Sequence, residues 1–397
     1  MSPVAALRDG ELLLHIGPFK TGTTTVQAAF HQNREALARQ GVHYAGKRAH
    51  PMAAAMEAVG REALPTLGNG PGRWAGLLRE VRAADARHVV ISSEFFSGAD
   101  EGRARAIIED LGADRTHVVV TLRPLVRILA SQWQQYIQNR IVVGYDAWLH
   151  AMLDDPDAPP RMTPSFWLRH RHDRLIRRWA EVVGTDRITV VVVDESDKRM
   201  LPRTFEELLA LEPETLVARD LGSNRSLTWP EVELVRAFNR GWIDDDLSMA
   251  DYTRLVRFGA IRHLQRRVPD EDEARVPLPA WAVERAVTLG AGMVADIRAS
   301  GVPVIGDLDT LADPSLAPNV GDVPAETEVP VDAAGRLLAG LVRELVGVPG
   351  GPAAGGRVVG PIEAEMRRRH DRTAPPRSRV AAVWARLVGR RRRGRVR

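Results

Sequence analysis

Leu12-Leu13-Leu14-His15-Ile16-Gly17-Pro18-Phe19-Lys20-Thr21-Gly22-Thr23-Thr24-Thr25 is the stretch whose reading decides the fold. Leu12–Ile16 is an apolar run of strand length, Gly17-Pro18 is a turn signal, and Thr23 to Gln40 places Val26, Phe30 and Leu37 on roughly one face of a helix. A buried strand that turns directly into a helix start leaves backbone N–H groups free at the positive end of the helix dipole, where an anion is held. Gly22 lets the backbone approach closely, Thr23 and Thr24 add hydroxyl donors, and Lys20 puts a point charge on whatever is bound. The plainer reading of the same residues is a glycine turn with a threonine cap.

Working outward, the pattern recurs. A helix around Trp74–Ala84 leads to the run His88–Ser92, a helix near Ala99–Leu111 to His117–Leu122, and then a helix runs from Pro124 to about Asn139. Pro124 suits a first helical turn, where a missing N–H costs nothing. A helix through Trp167–Val183 precedes Ile188–Val193, the most β-branched run and so an expected central strand. This alternation predicts an α/β fold of three layers, a parallel sheet with helices on both faces. Further helices are expected over Leu201–Leu211, Trp229–Arg240 and Trp281–Ser300.

The loop is not a Walker A motif. G-x-x-x-x-G-K-[ST] puts the lysine after the second glycine, whereas Lys20 stands two residues before Gly22. Phe19-Lys20-Thr21-Gly22-Thr23-Thr24 instead resembles the Lys-[Ser/Thr]-Gly-Thr-Thr loop of the P-loop sulfotransferase family, bacterial members included, whose loop holds the 5'-phosphosulfate of 3'-phosphoadenosine-5'-phosphosulfate (PAPS). Where the family has proline before the lysine, this chain has Phe19.

A second element is Leu122-Arg123-Pro124-Leu125-Val126-Arg127-Ile128-Leu129-Ala130-Ser131. A guanidinium at a strand's end can pair two phosphate oxygens, and a hydroxyl two turns into the next helix can reach a third. Standing after the loop, Arg123 and Ser131 resemble the family's 3'-phosphate clamp. A third is Ile91-Ser92-Ser93-Glu94-Phe95-Phe96, a polar cluster after an apolar run, at the carboxyl edge where open sheets bind ligands. Glu94 resembles the glutamate that bacterial and glycan-modifying members carry here, which makes it the candidate general base; a helix cap or an arginine partner is the alternative. Asn224-Arg225-Ser226-Leu227 and Gly306-Asp307-Leu308-Asp309-Thr310-Leu311 also look like segments of bacterial members, with Arg225 either touching the nucleotide or an exposed loop arginine.

Composition narrows the chemistry. There is no cysteine, which excludes disulfides, a cysteine-ligated zinc and a thiol nucleophile. No histidine spacing suggests a metal: His15 and His117 fall within strand runs as packing residues, and His50 is placed to line an acceptor cleft. Asp244-Asp245-Asp246 lacks the glycine turn and distal glutamate of a calcium loop and reads as a solvated helix boundary. The net charge of +4 is uneven, because Arg367–Arg397 carries thirteen arginines against Asp371 alone; the tail is +12 and the rest −8. The body therefore gives no support to nucleic-acid binding. No leader-like segment and no run of roughly 18 apolar residues occurs, so a cytoplasmic protein is expected.

The expected organisation is a sulfotransferase domain over 1–311, with a core of about 10–225 and a helical extension of about 226–311, then a Pro/Gly-rich linker over 312–361 and an Arg-rich tail over 362–397. In the tail, Val380, Val383, Trp384, Leu387 and Val388 repeat at helical spacing between arginines, either a peripheral helix on an anionic membrane surface through 379–397 or a solvated end. The resemblance implies PAPS as sulfuryl donor, a glycan, glycolipid or metabolite hydroxyl as acceptor, no metal, catalytic Lys20 and Glu94, and donor contacts from Lys20, Thr21, Gly22, Thr23, Thr24, Thr25, Arg123, Ser131 and Arg225. A P-loop kinase or hydrolase and a non-catalytic anion- or membrane-binding adaptor are the competing classes.

Overall fold

Parallel strands cannot be joined by tight turns, so each must return through a crossover, and every strand then ends on the same edge of the sheet. The computed structural model describes residues 5–61, 72–158, 162–218 and 225–346. Among them six strands form one parallel sheet: β1 (Leu12–Gly17), β2 (Val42–Tyr44), β3 (His88–Ser92), β4 (Thr116–Leu122), β5 (Ile188–Val192) and β6 (Val304–Ile305), in the order β2-β3-β1-β4-β5-β6. β1 is central, paired with β3 in the register Leu12↔Val89 to His15↔Ser92 and with β4 from Leu12↔Thr116 to Gly17↔Val120.

Side chains alternate across the sheet as the pleat requires. Leu12, Leu14 and Ile16 join one apolar layer with Val118, Val120 and the helices Leu125–Ile137 and His172–Val183. Leu13 joins the other, with Val26, Phe30 and Phe205. The three-layer α/β architecture is thus present, built on the strands that the apolar runs predicted.

Three expectations need correction. Thr23 to Gln40 is two helices, Thr23–Gln32 and Arg34–Arg39, divided at Asn33, and Trp167–Val183 is divided at Arg171. β5 is not central: its outer neighbour is β6, two residues long, although β5 itself is fully buried. The described part of the expected linker is folded. Val331–Leu345 is a helix with Ala333 and Leu337 in the core and Gly340 so tight against Ala260 that a Cβ would stand 2.8 Å from the Ala260 Cα.

That helix is tied down by charge. Arg267, 3% exposed, bonds Asp332 at 2.5 Å, and also pairs with Glu273 and with the fully buried Glu231. Glu231 closes the capping box of the helix Trp229–Asp244 with Thr228. Asp244 to Asp246 are exposed at that helix's end. The expected tail over 362–397 and its amphipathic segment lie outside the described residues. No helix among the described residues is long and apolar enough to cross a membrane.

Candidate functional site

The carboxyl edge gathers what the sequence spreads over a hundred residues. The loop Gly17–Gly22 leaves β1, Glu94 follows β3, Arg123 follows β4, and β3, β1 and β4 are adjacent. Lys20 takes a left-handed φ of 69°, a conformation that costs a non-glycine residue about 1–2 kcal/mol and that clusters at functional sites. Gly22 (φ 86°) is the N-cap of Thr23–Gln32 and brings no side-chain cap; its carbonyl takes the Thr25 N–H at 3.0 Å, so the start of the first turn is open to an outside acceptor. A Cβ on Gly17 would sit 3.0 Å from Cα and Cβ of Glu94, so glycine there is what lets the loop and Glu94 approach.

Beneath the loop runs a buried hydrogen-bond chain. Thr21 Oγ1 donates to the Pro18 carbonyl (2.7 Å) and meets Thr121 Oγ1 (2.8 Å), which meets His15 Nε2 (3.1 Å), while His15 Nδ1 meets Ser92 Oγ (2.8 Å). With Thr21's proton spent on Pro18, Thr121 must donate to Thr21 and accept from Nε2–H, leaving Nδ1 to accept from Ser92. Burial holds His15 down to about 3, so the neutral ring this chain needs is the form present. His15 is the packing residue expected, and so is His117, which meets Thr189 Oγ1 at 2.8 Å. Thr21 thereby serves the loop with its hydroxyl turned inward. Thr23 Oγ1 also donates to Pro18 O (3.3 Å), whereas Thr24 is exposed and Thr25 half-exposed beside it.

Lys20 Nζ donates to Gln135 Oε1 at 3.3 Å, and no carboxylate pairs with it among the described residues. Its ammonium is pulled from 10.5 to about 8, by burial first, then by Arg123 and Arg257, with Glu94 opposing. Arg123 Nη1 donates to the Lys20 carbonyl (3.2 Å), which locks the guanidinium to the loop, and Glu195, just past β5, ion-pairs with both Arg123 and Arg127. Ser131 lies four residues before Gln135 and so shares its helix face toward Lys20; its hydroxyl donates to Ile128 O at 3.1 Å. Glu94 is half-buried at the start of the short helix Glu94–Gly98 and accepts at Oε2 from Gln27 Nε2 at 2.9 Å. Phe19, just before Lys20, packs edge-on against Phe95 (5.2 Å) and carries the Arg169 guanidinium on its face (4.5 Å).

Lys20, Glu94 and Arg123 therefore share one edge, and Ser131 lies in the helix that follows β4, one turn before Gln135. Arg225 does not join them. Its guanidinium forks onto Glu231 in two 2.6 Å bonds and donates to the Arg267 and Leu264 carbonyls. Gln27, Gln135, Glu195, Arg169 and Arg257 are site neighbours the sequence reading missed, because none belongs to a motif; the long-range fold alone brings them in. Among the described residues no three metal-ligating side chains cluster.

No protein-family model matches the chain, and no curated protein does. Among solved structures, a crystal structure of a sulfotransferase from Alicyclobacillus acidocaldarius is similar with a TM-score of 0.38 and 14% identity, over 63% of this chain and 100% of that one. What the site can do rests on its own geometry.

Proposed function

We propose that the protein transfers a sulfuryl group from PAPS to the hydroxyl of an acceptor, a glycan, glycolipid or metabolite. The observation that carries the reading is Lys20: a partly buried cation in a strained backbone conformation, at an uncapped helix start, with a neutral amide as its hydrogen-bond partner. Such a group is short of an anion.

The residues present fit the donor. Backbone N–H groups from Lys20 to Thr24, with the Thr24 hydroxyl and, on release of its 3.3 Å bond to Pro18, the Thr23 hydroxyl, would hold the 5'-phosphosulfate, and Arg123 and Ser131 the 3'-phosphate at the other end. PAPS supplies the activated sulfuryl group. The chain's own part is positioning and charge, as in phosphoryl transfer. Lys20 steadies negative charge on the departing bridging oxygen, and Glu94 takes the acceptor hydroxyl's proton. Gln27 positions Glu94 by occupying Oε2, which leaves Oε1 for that proton. Arg225, held by Glu231, would reach the donor only by giving up that pair.

Titration calorimetry of the full chain with 3',5'-adenosine bisphosphate against ATP tests the reading. The bisphosphate should bind at least tenfold tighter, about 1.4 kcal/mol, because its 3'-phosphate has its own arginine. A preference for ATP would turn the assignment to a nucleotide kinase or hydrolase.

A further inference from the structure

The helix Val331–Leu345 buries one side and leaves the other uncovered. Ala333, Leu337 and Gly340 turn to the core, where the helices Tyr252–Ala260 and Ile261–Leu264 pack, with Gly340 against Ala260 and His263. Val331, Gly335, Leu338, Val342 and Leu345 stand at i, i+4, i+7, i+11 and i+14, which makes them one stripe along the outer face. Leu338, Val342 and Leu345 are 57%, 53% and 47% exposed, and Val346 beyond them 65%. The outer stripe of a solvated helix is ordinarily polar, and an apolar stripe with a charged rim marks an interaction surface.

The rim is basic. Burial first, then the fields of Arg266, Arg336 and Arg343, hold the His263 imidazole below its ordinary value, which gathers those three guanidinia on one flank; Arg262 lies beside Arg266. The two acids of the same helices are used inward. Asp332 bonds Arg267 at 2.5 Å, and Glu344 is so close to the helix Tyr252–Ala260 that a Cβ on Gly259 would overlap it. The acidic run Asp270–Glu273 is tied through Glu273 to Arg267, and so to the Asp332 end. The positive, apolar half is therefore the C-terminal one, from Arg336 to Val346. The same end of the chain carries the +12 of Arg367–Arg397.

We propose that the outer face of Val331–Leu345, at its C-terminal half, docks on an anionic membrane surface. Leu338, Val342 and Leu345 enter the boundary between head groups and acyl chains, while Arg336 and Arg343 reach sideways to lipid phosphates. A second copy of the chain fits badly, because a two-fold interface sets the patch on its own kind and brings these arginines against one another. Stable attachment takes two weak signals, and the arginines of the tail supply charge for the second. The inference is independent of what the sheet edge binds.

The test uses the full chain and two kinds of vesicle, phosphatidylcholine alone and phosphatidylcholine with about 30% phosphatidylglycerol. The chain has no cysteine, so Val342→Cys carries a nitrobenzoxadiazole dye at one place, and Ala38→Cys, exposed on the helix Arg34–Arg39 in the opposite layer, carries it as the control. The dye at 342 should shift to the blue on the anionic vesicles and not on the neutral ones, and the dye at 38 should shift on neither. In co-sedimentation, Leu338→Glu with Val342→Glu should weaken binding to the anionic vesicles about tenfold or more. The dye arm changes a single exposed side chain and stands even if the double variant folds poorly. A dye at 342 that does not shift overturns the proposal whatever sediments, since binding would then belong to the arginine tail alone. A shift that grows with protein concentration in the absence of vesicles also overturns it, and assigns the stripe to a second copy.

Discussion

Glu231 and Lys20 are both charges drawn out of water, one in the helical extension and one at the sheet edge, and the chain treats them in opposite ways. Glu231 has a two-bond fork from Arg225, a contact from Arg267 at 3.4 Å and the Thr228 N–H at 3.0 Å, with Arg267 bonded onward to Glu273 and Asp332. Lys20 has one long hydrogen bond to a neutral amide, two arginine fields against it and Glu94's field alone in its favour. Buried charge that holds a fold together must be met in full, since a lone buried ion costs several kcal/mol. Charge left unmet at a ligand-binding edge is charge a ligand can use. The contrast also separates two arginines that looked alike in the sequence: Arg225 belongs to the first kind of region and Arg123 to the second.

The sharpest way to break the contrast is to remove one charge from each region. Glu231→Ala strands Arg225 and Arg267 and should cost about 3–5 kcal/mol of stability by denaturant unfolding, with kcat little changed in the fraction that remains folded. Lys20→Ala should do the reverse: turnover falls about 10²–10³-fold in a PAPS transfer assay while the unfolding midpoint stays or rises, because a desolvated cation has gone and the backbone conformation is kept. If Lys20→Ala instead unfolded the protein and kept the turnover of its folded fraction, the two regions would be the same kind of thing.

The sequence shows one of these regions far more clearly than the other, for a physical reason. Leu12–Gly17 into Thr23, His88–Ser92 and Thr116–Leu122 are local signals, since apolar strands of five to seven residues announce themselves and a parallel sheet puts their ends together. Hence Lys20, Glu94 and Arg123 could be named before their meeting was seen. β2 and β6, three and two residues long, exist through their neighbours and carry no pattern of their own. The same holds for Val331–Leu345, whose flanking Pro/Gly density reads as linker until Arg267, 65 residues earlier, is seen to bond Asp332. Gln27 reaches Glu94 across 67 residues of chain and Arg169 reaches Phe19 across 150, and no local spacing reports that. Arg225 was misleading for the same reason, its partners lying in segments read only as helix.

Glu195 sharpens the contrast from the middle. Its carboxylate sits between Arg123 and Arg127, half-exposed, in a place that an incoming 3'-phosphate would contest. A pair at that exposure is worth about 0.2–1 kcal/mol, so Glu195→Gln should tighten adenosine bisphosphate by no more than about fivefold, with the gain shrinking as salt rises. Weaker binding in calorimetry would instead make Glu195 the residue that holds Arg123 in position, and would move Arg123 toward the fully partnered kind.

The smallest effect reads the state of Lys20 directly. With its ammonium lowered from 10.5 to about 8, the folded protein holds this proton more weakly than the unfolded chain. Between those two values the unfolded chain binds more of the proton, so Lys20's contribution to stability rises with pH across that window and is least favourable below about 8. An anion seated against Nζ favours the charged form and pushes the group back up. Binding of adenosine bisphosphate a little above pH 8 should therefore take up a fraction of a proton, and binding near pH 6.5 about none, since the lysine is already charged there. Calorimetry repeated in buffers of different ionisation enthalpy measures that fraction, and Lys20→Met should abolish it. Uptake that survived in Lys20→Met would belong to another group; no uptake in the unaltered chain at either pH would mean that the anion does not reach Nζ, and Lys20 would then be a cation the fold tolerates, with no ligand to complete it.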